Sequence, residues 1–185
     1  ARGDTGVEVN PVPRGLSTRR RGGRTRTVPL VRVPRTLPKI LAPAEAAALL
    51  GALRTRRDRA MVLAMLLGGL RRCEVLGLRL VDIRVADKSL FIAEGKGGHQ
   101  RVVPISNEFF TALGDYLRDE RPAGLDTDRV FVALKRPRRG EPLSAYGIDE
   151  VIAAARTRAG VDHCTCHMLR HTCLTRLREA GMALE

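Results

Sequence analysis

Apolar side chains recur with a helical period in several stretches after residue 40. The first stretch begins at Pro43, and proline is favoured in the first turn of a helix. The second is apolar nearly all round until Gly68 and Gly69, which predicts a helix buried in the core. Asn107 and Ser144 are expected to cap two later helices. The pattern predicts helices that begin at Pro43 and that cover residues 57–67, 72–76, 107–117, 144–158 and 167–180.

Two other stretches, 89–93 and 100–105, have the short apolar pattern of β-strands. A glycine-rich segment, 95–99, separates them, which predicts an antiparallel hairpin. Residues 130–133 have the composition of a third short strand. The sequence therefore predicts an α+β fold, mainly α-helical, with one small antiparallel sheet.

Residues 1–38 differ from the rest because they are rich in Pro, Gly, Arg and Thr and have no sustained period. We expect them to form a basic arm or interdomain linker. We expect residues 39–185 to form one folded domain. The total length of 185 residues is enough for one ordinary domain with an appendage.

Positive charge is in excess and is concentrated near the start of the sequence. The chain has 33 Lys and Arg against 20 Asp and Glu, a net charge of +13. Residues 1–39 hold ten basic and two acidic residues, or +8, and the remaining 23 basic and 18 acidic residues give +5. Such an arm favours the phosphate backbone of double-stranded DNA, although a solvated tail has the same composition. The expected DNA contacts of the arm are Arg19, Arg20, Arg21, Arg24 and Arg26.

Composition argues against two classes of function. Aromatic residues make up 3% of the chain and Trp is absent, so we do not expect a protein that stacks single-stranded bases on aromatic side chains. The longest apolar run, 60–70, is too short to cross a bilayer, and the first residues lack the apolar stretch of a signal peptide. We expect a cytoplasmic protein that associates with the nucleoid and has no membrane partner.

The segment Gly69–Leu78 places an arginine at a glycine break where a helix begins. Arg71 stands at that break, and Glu74 lies one turn further along the same face. A cation at a helix N-terminus conflicts with the helix dipole, which favours anions there. A phosphate bound between the arginine and the helix would remove the conflict. The alternative is an ordinary Arg–Glu pair on the surface.

A second candidate lies in the helix predicted at 167–180. His167, Arg170 and His171 are three and four residues apart, so they share one helical face. The arginine fork fits phosphate oxygens, and histidine moves protons near neutral pH. Lys96 on the hairpin tip is able to reach a phosphate, but it lacks the spacing of a nucleotide P-loop. A solvated turn is the simpler explanation of the tip alone.

In this order, the three segments resemble the catalytic domain of the tyrosine recombinases, the phage-integrase family. That family has Gly-Leu-Arg-x-x-Glu-Leu at the start of a helix, Gly-Lys-Gly-x-Lys-x-Arg-x-Val-Pro on a hairpin and His-x-Leu-Arg-His-Thr on a later helix. Here the motifs are Gly69–Val75, with Val75 for the usual Leu, Gly95–Pro104 and His167–Thr172. The resemblance covers residues 40–185 and implies that the preceding residues are the end of a core-binding domain and a linker.

The resemblance implies a role for each main motif residue. Arg71 and Arg170 would clamp the non-bridging oxygens of one DNA phosphate. Lys96 would protonate the departing 5′ oxygen, and His167 would act as general acid and base on the nucleophile. Glu74 would hold Arg71 in position.

The resemblance also implies supporting residues and partners. His171 would support the site, and His99 and Arg101 would contact DNA. In the family a tyrosine attacks the phosphate and forms a 3′-phosphotyrosyl link, so no metal or nucleotide cofactor is needed. Family members act as tetramers on paired DNA sites, which makes other recombinase protomers the expected protein partners.

This sequence departs from the family at two places. His99 stands where the family has the second hairpin Lys. After the Arg-His helix the family continues with a Gly-His pair and the nucleophilic Tyr, and neither stands between that helix and Glu185. The two tyrosines present, Tyr116 and Tyr146, come before His167, and we interpret both as structural. We therefore expect these residues to contain no nucleophile and to be inactive alone. The alternatives are a DNA-binding remnant that does not cut, and a tyrosine donated by a partner subunit.

A zinc site is another interpretation of residues 163–173. The candidate ligands there are His163, Cys164, Cys166, His167, His171 and Cys173. The Cys-x-Cys spacing is not that of a usual zinc knuckle, and the one further cysteine is the isolated Cys73. We therefore expect no bound metal and reduced thiols, with Cys73 and Cys173 in the core.

Overall fold

A computed structural model describes residues 39–93 and 100–182. The structural statements below refer to these residues, so the arm at 1–38 lies outside them and its division from the following domain stays a prediction. The described helices are α1 (Pro43–Gly51), α2 (Arg56–Gly68), α3 (Arg72–Gly77), α4 (Asn107–Asp119), α5 (Ala145–Ala159) and α6 (Cys166–Glu179). None of these helices is long and apolar enough to cross a membrane.

The helix predictions are confirmed, with ends that differ by at most two residues. The Oγ of Ser144 accepts a hydrogen bond from the Gly147 backbone N–H, as expected of an N-cap. The cap of α4 is Ser106, one residue before the expected Asn107, and its side chain makes no capping bond. Gly68 lies inside α2, and Gly69 alone ends that helix.

α2 is the central helix of the fold. It packs against α3, α4 and α6, and residues 60–66 on it are all buried. Thr55 caps its start by accepting a hydrogen bond from the Asp58 N–H at 3.1 Å. The sequence prediction of a core helix is therefore confirmed.

Three short antiparallel strands form the sheet in the order β1 (Ile83–Arg84), β2 (Ser89–Ile92) and β3 (Arg101–Pro104). The strands β2 and β3 are those of the predicted hairpin, and Ile92 pairs with Arg101. The hairpin tip, 94–99, lies outside the described residues. The sequence does not predict β1, because two residues are too few to show a period.

The prediction of a third strand at 130–133 is wrong. Among the described residues, this segment makes one isolated bridge, between Val132 and Pro142, and no strand ladder. Val130, Phe131 and Val132 are nevertheless buried. The segment packs beside α2 and α4, where Arg57 donates a hydrogen bond to the Val132 carbonyl at 3.0 Å. Its apolar composition therefore reflects burial in the core rather than sheet pairing.

Thr172 joins α6 to the chain just before α1. Its hydroxyl accepts a hydrogen bond from the Leu41 backbone N–H at 2.9 Å and donates one to the Met168 carbonyl at 2.8 Å. Arg176 donates to the Leu41 carbonyl at 3.4 Å. Because both Leu41 and Thr172 are buried, these bonds fix where α6 lies against the core.

The two tyrosines have different environments. Tyr116 on α4 is fully buried, and its ring stacks on Phe131. Its hydroxyl donates to the Val130 carbonyl at 3.1 Å and accepts from the Val132 N–H at 3.2 Å. Tyr146 on α5 is 72% exposed. A structural role therefore fits Tyr116, whereas Tyr146 contributes little to the core.

We predict that Tyr116→Phe lowers the free energy of unfolding by about 1–3 kcal/mol, because two buried backbone groups lose their hydrogen-bond partner. Urea unfolding followed by circular dichroism measures this change. Tyr146→Phe is the matched control, since it removes the same hydroxyl from an exposed ring, and we expect a change within about 0.5 kcal/mol. Equal losses in the two variants would contradict the role given to the Tyr116 hydroxyl.

Candidate active site

The turn between α2 and α3 brings Arg71 close to α6. Gly69 has a left-handed φ of 59°, and a Cβ at this position would lie 3.4 Å from the Sγ of Cys173 on α6. Glycine therefore permits both the turn and its close approach to α6. Arg71 follows as the N-cap residue of α3, in extended conformation. Its guanidinium thus lies where that helix begins.

Glu74 is buried one turn into α3 and accepts four hydrogen bonds. Arg71 supplies two, from its backbone N–H to Oε2 and from Nη1 to Oε1, both at 2.8 Å. Arg101 on β3 supplies the other two, from Nη1 to Oε1 at 2.8 Å and from Nη2 to Oε2 at 2.7 Å. The alternative of an ordinary surface pair is wrong, because this carboxylate is shielded from solvent and shared by a helix and a strand.

The Glu74 carboxylate stays ionised at neutral pH. Burial acts most strongly and raises its pKa, but hydrogen bonds from Arg101 and Arg71 together outweigh burial and lower the pKa to about 2. The hydrogen bonds to Glu74 in turn raise the pKa of Arg101. The three groups therefore carry one negative and two positive charges.

The second part of the site lies on α6, which begins at Cys166. The Oγ1 of Thr165 accepts a hydrogen bond from the Met168 N–H at 3.2 Å and caps the helix. The motif residues follow within the first two turns of the helix. They are His167, Arg170 and His171.

Arg170 links α6 to the turn that carries Arg71. Its Nη1 donates a hydrogen bond to the Gly69 carbonyl. Burial lowers the pKa of Arg170, and the charges of Arg71 and Arg101 lower it further although Glu74 opposes them. Cations that disfavour one another's charge in this way attract an anion, so the site is suited to phosphate.

His167 and His171 are in direct contact. Their Nε2 atoms are 2.8 Å apart and their ring planes are nearly perpendicular. One of the two Nε2 atoms has to donate the hydrogen bond and the other has to accept it. The two rings therefore cannot both be imidazolium cations while this bond exists. Burial lowers the pKa of His171, and the adjacent His167 and Arg170 lower it further.

A cleft of about 680 Å³ brings these groups together. Of the residues predicted from the motifs, Arg71, His167 and Arg170 line it. Sequence reasoning missed Arg72 on α3 and Arg156 on α5, which also line it. The residues that α5 contributes to the cleft recur at intervals of three and four, as on one face of a helix. This spacing was the sequence signal that could have found Arg156.

Among the described residues that line the cleft, Asp149 is the one with a carboxylate side chain. It forms an ion pair with Arg72 and accepts a hydrogen bond from the Sγ of Cys166 at 3.4 Å. Burial raises the pKa of Cys166 to about 12, and the contact with Asp149 contributes to the rise. This thiol is therefore protonated at neutral pH and is not a nucleophile.

Several expected site residues lie outside the described ranges. They are Lys96, His99 and the arm residues Arg19, Arg20, Arg21, Arg24 and Arg26. The structure therefore brings together three of the four residues expected to be catalytic, with Glu74 behind them. Arg101, expected as a DNA contact, lies in the ion-pair network of Glu74.

The cysteines and the zinc interpretation are clarified by the described residues. In residues 39–93 and 100–182, no three His, Cys, Asp or Glu side chains are placed to hold a metal ion. All four cysteines are free thiols. Cys173 is buried as expected, but the expectation for Cys73 is wrong, because this side chain is exposed where α3 borders the cleft.

Comparison with known proteins identifies the family. Residues 39–185 match the phage integrase family. The chain is 32% identical over 160 residues to transposase A of transposon Tn554 from Staphylococcus aureus, which covers 82% of this chain and 44% of that protein. It is 32% identical over 153 residues to the tyrosine recombinase XerA of Pyrococcus furiosus, which covers 82% of this chain and 52% of that protein.

A crystal structure of XerA recombinase superposes with a TM-score of 0.71 at 29% identity, covering 81% of this chain and 54% of that one. The mainly helical fold with its small antiparallel sheet is thus the fold of a tyrosine recombinase catalytic domain. The chain belongs to the phage integrase family, and it spans about half the length of the curated relatives it matches.

We predict that the free energy of unfolding falls as the pH drops from about 7.5 to about 5.5, partly because His171 resists protonation in the folded chain. Its pKa is lowered from 6.5 by folding, so the unfolded state binds more protons in this window and stability is lost as the pH falls. Urea unfolding at several pH values measures the slope.

His171→Gln removes this titrating group and is expected to flatten the slope. His163→Gln is the matched control, since it removes one exposed imidazole outside the pair. The explanation fails if His171→Gln changes the slope no more than His163→Gln does.

Proposed function

We propose that this chain holds one phosphate of double-stranded DNA for site-specific recombination, with Arg71 and Arg170 binding its non-bridging oxygens. Support comes from the donors that remain on both guanidinium groups. Within residues 39–93 and 100–182, Nε and Nη2 of Arg71 and of Arg170 have no hydrogen-bond partner. Such an edge is a two-donor fork of the kind that binds phosphate.

The observation that carries the proposal is the convergence of arginines from separate elements on one cleft. Three regions of the chain contribute arginines to the lining of the cleft, namely Arg71, Arg72, Arg156 and Arg170. Against these four positive charges, the described lining residues include one carboxylate, that of Asp149. A cleft with this excess of positive charge attracts a polyanion before any specific contact forms.

The proposed reaction is phosphoryl transfer through a tyrosine. The tyrosine oxygen bonds to phosphorus, the bond from phosphorus to the 5′ oxygen breaks, and the 5′ oxygen gains a proton. Arg71 and Arg170 stabilise the charge that develops on the non-bridging oxygens. His167 takes the proton from the nucleophile, and Lys96 supplies the proton to the leaving oxygen.

The nucleophile in this proposal is a tyrosine outside these 185 residues. Tyr116 is buried with its hydroxyl bonded to the backbone, and Tyr146 does not line the cleft in the described structure. These residues alone are therefore expected to bind DNA without forming a covalent adduct. A non-catalytic DNA-binding remnant makes the same prediction, and the reading frame past Glu185 distinguishes the two.

Solved relatives support the proposed partners. The recombinase XerH has been crystallised bound to its difH substrate after cleavage, and a lambda integrase dimer has been crystallised bound to a core site. At 22% and 16% identity these structures share the fold with this chain. We propose that this protein also acts on double-stranded DNA at the nucleoid, in the cytoplasm, and as a tetramer on paired sites when complete. Contacts from the arm would add affinity without sequence discrimination.

We predict that the chain binds a mixed-sequence duplex and that Arg170→Gln weakens binding about tenfold, because a charge-assisted phosphate contact is lost. Fluorescence anisotropy with a labelled duplex measures the affinity across a series of salt concentrations. Affinity is expected to fall steeply with salt, as counterion release requires.

Arg118→Gln is the matched control, since it removes the same charge from an exposed α4 side chain that does not line the cleft. We expect it to bind nearly as the unmodified chain does. No duplex binding by the unmodified chain, or equal weakening in the two variants, would overturn the proposed phosphate site.

A further inference from the structure

The Glu74 carboxylate has all its acceptor positions filled by arginine. An ionised carboxylate offers about four lone-pair positions, and Glu74 accepts four hydrogen bonds, two from Arg71 and two from Arg101. Its side chain is 0% exposed, so solvent does not compete for these positions. The environment of Glu74 is therefore set by Arg101 as much as by Arg71.

The two arginines use the carboxylate differently. Arg101 presents both terminal nitrogens, one to each oxygen of Glu74, in a bidentate pair. Arg71 gives one side-chain bond from Nη1, and its second bond comes from its backbone N–H. As long as Arg101 occupies both oxygens, Glu74 does not form a bidentate pair with Arg71. This leaves the Nε and Nη2 donors of Arg71 available.

Arg101 also stands in a different place from Arg71. It belongs to β3, and it reaches α3 from the sheet, although it lies 27 residues after Glu74 in the chain. Arg71 lines the cleft, whereas Arg101 is not among the described residues that line it. The terminal edge of Arg101 is already directed at a buried carboxylate, which disfavours its use for a phosphate.

We propose that Arg101 is a positioning residue, which holds Glu74 in a bidentate pair so that Arg71 keeps a free edge for the DNA phosphate. This inference rests on the proposed function. It replaces the direct DNA contact that the sequence resemblance implied for Arg101. The ion pair thereby makes the phosphate site depend on the pairing of β3 with the rest of the sheet.

Removal of the Arg101 guanidinium has two expected consequences. Glu74 loses two of its four hydrogen bonds, and its pKa rises because burial then opposes ionisation with less compensation. The carboxylate also becomes free to rotate and to pair with Nη2 of Arg71 in addition to Nη1. Nη2 is one of the two donors that the phosphate needs, so DNA affinity falls although Arg101 itself touches no DNA.

A thermodynamic cycle tests this indirect action. The variants are Arg71→Gln, Arg101→Gln and the double variant, each measured for affinity to the same mixed-sequence duplex. We expect Arg71→Gln to weaken binding about tenfold and Arg101→Gln to weaken it about three- to tenfold. The double variant is expected to bind no more weakly than Arg71→Gln, because a residue that acts through Arg71 adds nothing once Arg71 is gone.

A control and a substitute complete the set of variants. Arg84→Gln removes an equal charge from β1, at the other edge of the same sheet, where Arg84 lies over the ring of Phe91, and it measures the effect of net charge alone. If Arg101→Gln does not fold, Arg101→Lys takes its place. Lysine keeps the cation beside Glu74 but cannot form the bidentate pair.

The ionisation of Glu74 gives a second readout that does not involve DNA. Carbon-13 NMR of the labelled carboxyl group follows its titration in each variant. We expect the pKa to rise from about 2 in the unmodified chain when Arg101 is replaced, and to stay there in Arg84→Gln.

The outcomes separate this inference from the proposed function. Additive losses in the cycle would show that Arg101 contacts the DNA itself and would overturn the inference while leaving the phosphate site in place. An unchanged titration of Glu74 in the Arg101 variant would also overturn it. Absence of duplex binding in the unmodified chain, or full affinity in Arg71→Gln, would instead overturn the proposed function.

Discussion

The ionised carboxylate of Glu74, buried between a helix and a strand, is the interaction on which the rest of the site depends. A charge removed from water is tolerated only when hydrogen bonds and opposite charges compensate it. Here the compensation requires that α3, the turn before it and β3 be assembled together. The same arrangement leaves a surplus of positive charge directed to the cleft. Folding of this region and placement of Arg71 at the cleft are therefore one event, because Arg71 both stabilises the carboxylate and lines the cleft.

Most of the helical framework follows from the sequence, because helices are local and their apolar period repeats several times. α2 is the clearest case, since its apolar residues surround it and only a core position buries them all. The segment 130–133 was predicted wrongly because burial and sheet pairing both select apolar residues. Its partners are Tyr116 and Arg57, which bond to its backbone from α4 and α2. Such pairing joins distant parts of the chain and leaves no local signal.

The sequence predicted the site residues that belong to short motifs. It did not predict those that reach the site through the packing of helices and strands. Arg71, His167 and Arg170 stand in motifs, and the structure brings them to one cleft. Arg156 stands in no motif and reaches the cleft only because α5 packs against α1 and α3. The bond between Arg101 and Glu74 was also beyond sequence reasoning, since it depends on how a strand crosses a helix. The residue types were visible in the sequence, but their partners were not.

The bonds between Leu41 and α6 bear on the order in which the protein is made. Thr172 leaves the ribosome 131 residues after Leu41, which takes roughly 7 to 26 s at a translation rate of about 5 to 20 residues per second. During that time the Leu41 N–H lacks its acceptor, the Thr172 hydroxyl. The Gly69 carbonyl likewise lacks its donor, the guanidinium of Arg170. The emerging chain can form α2 early, but the arginine pair is complete only when α6 has been synthesised. Of the described helices, α6 is the last to be synthesised, so the arginines of the cleft come together only after α1 to α5 have emerged.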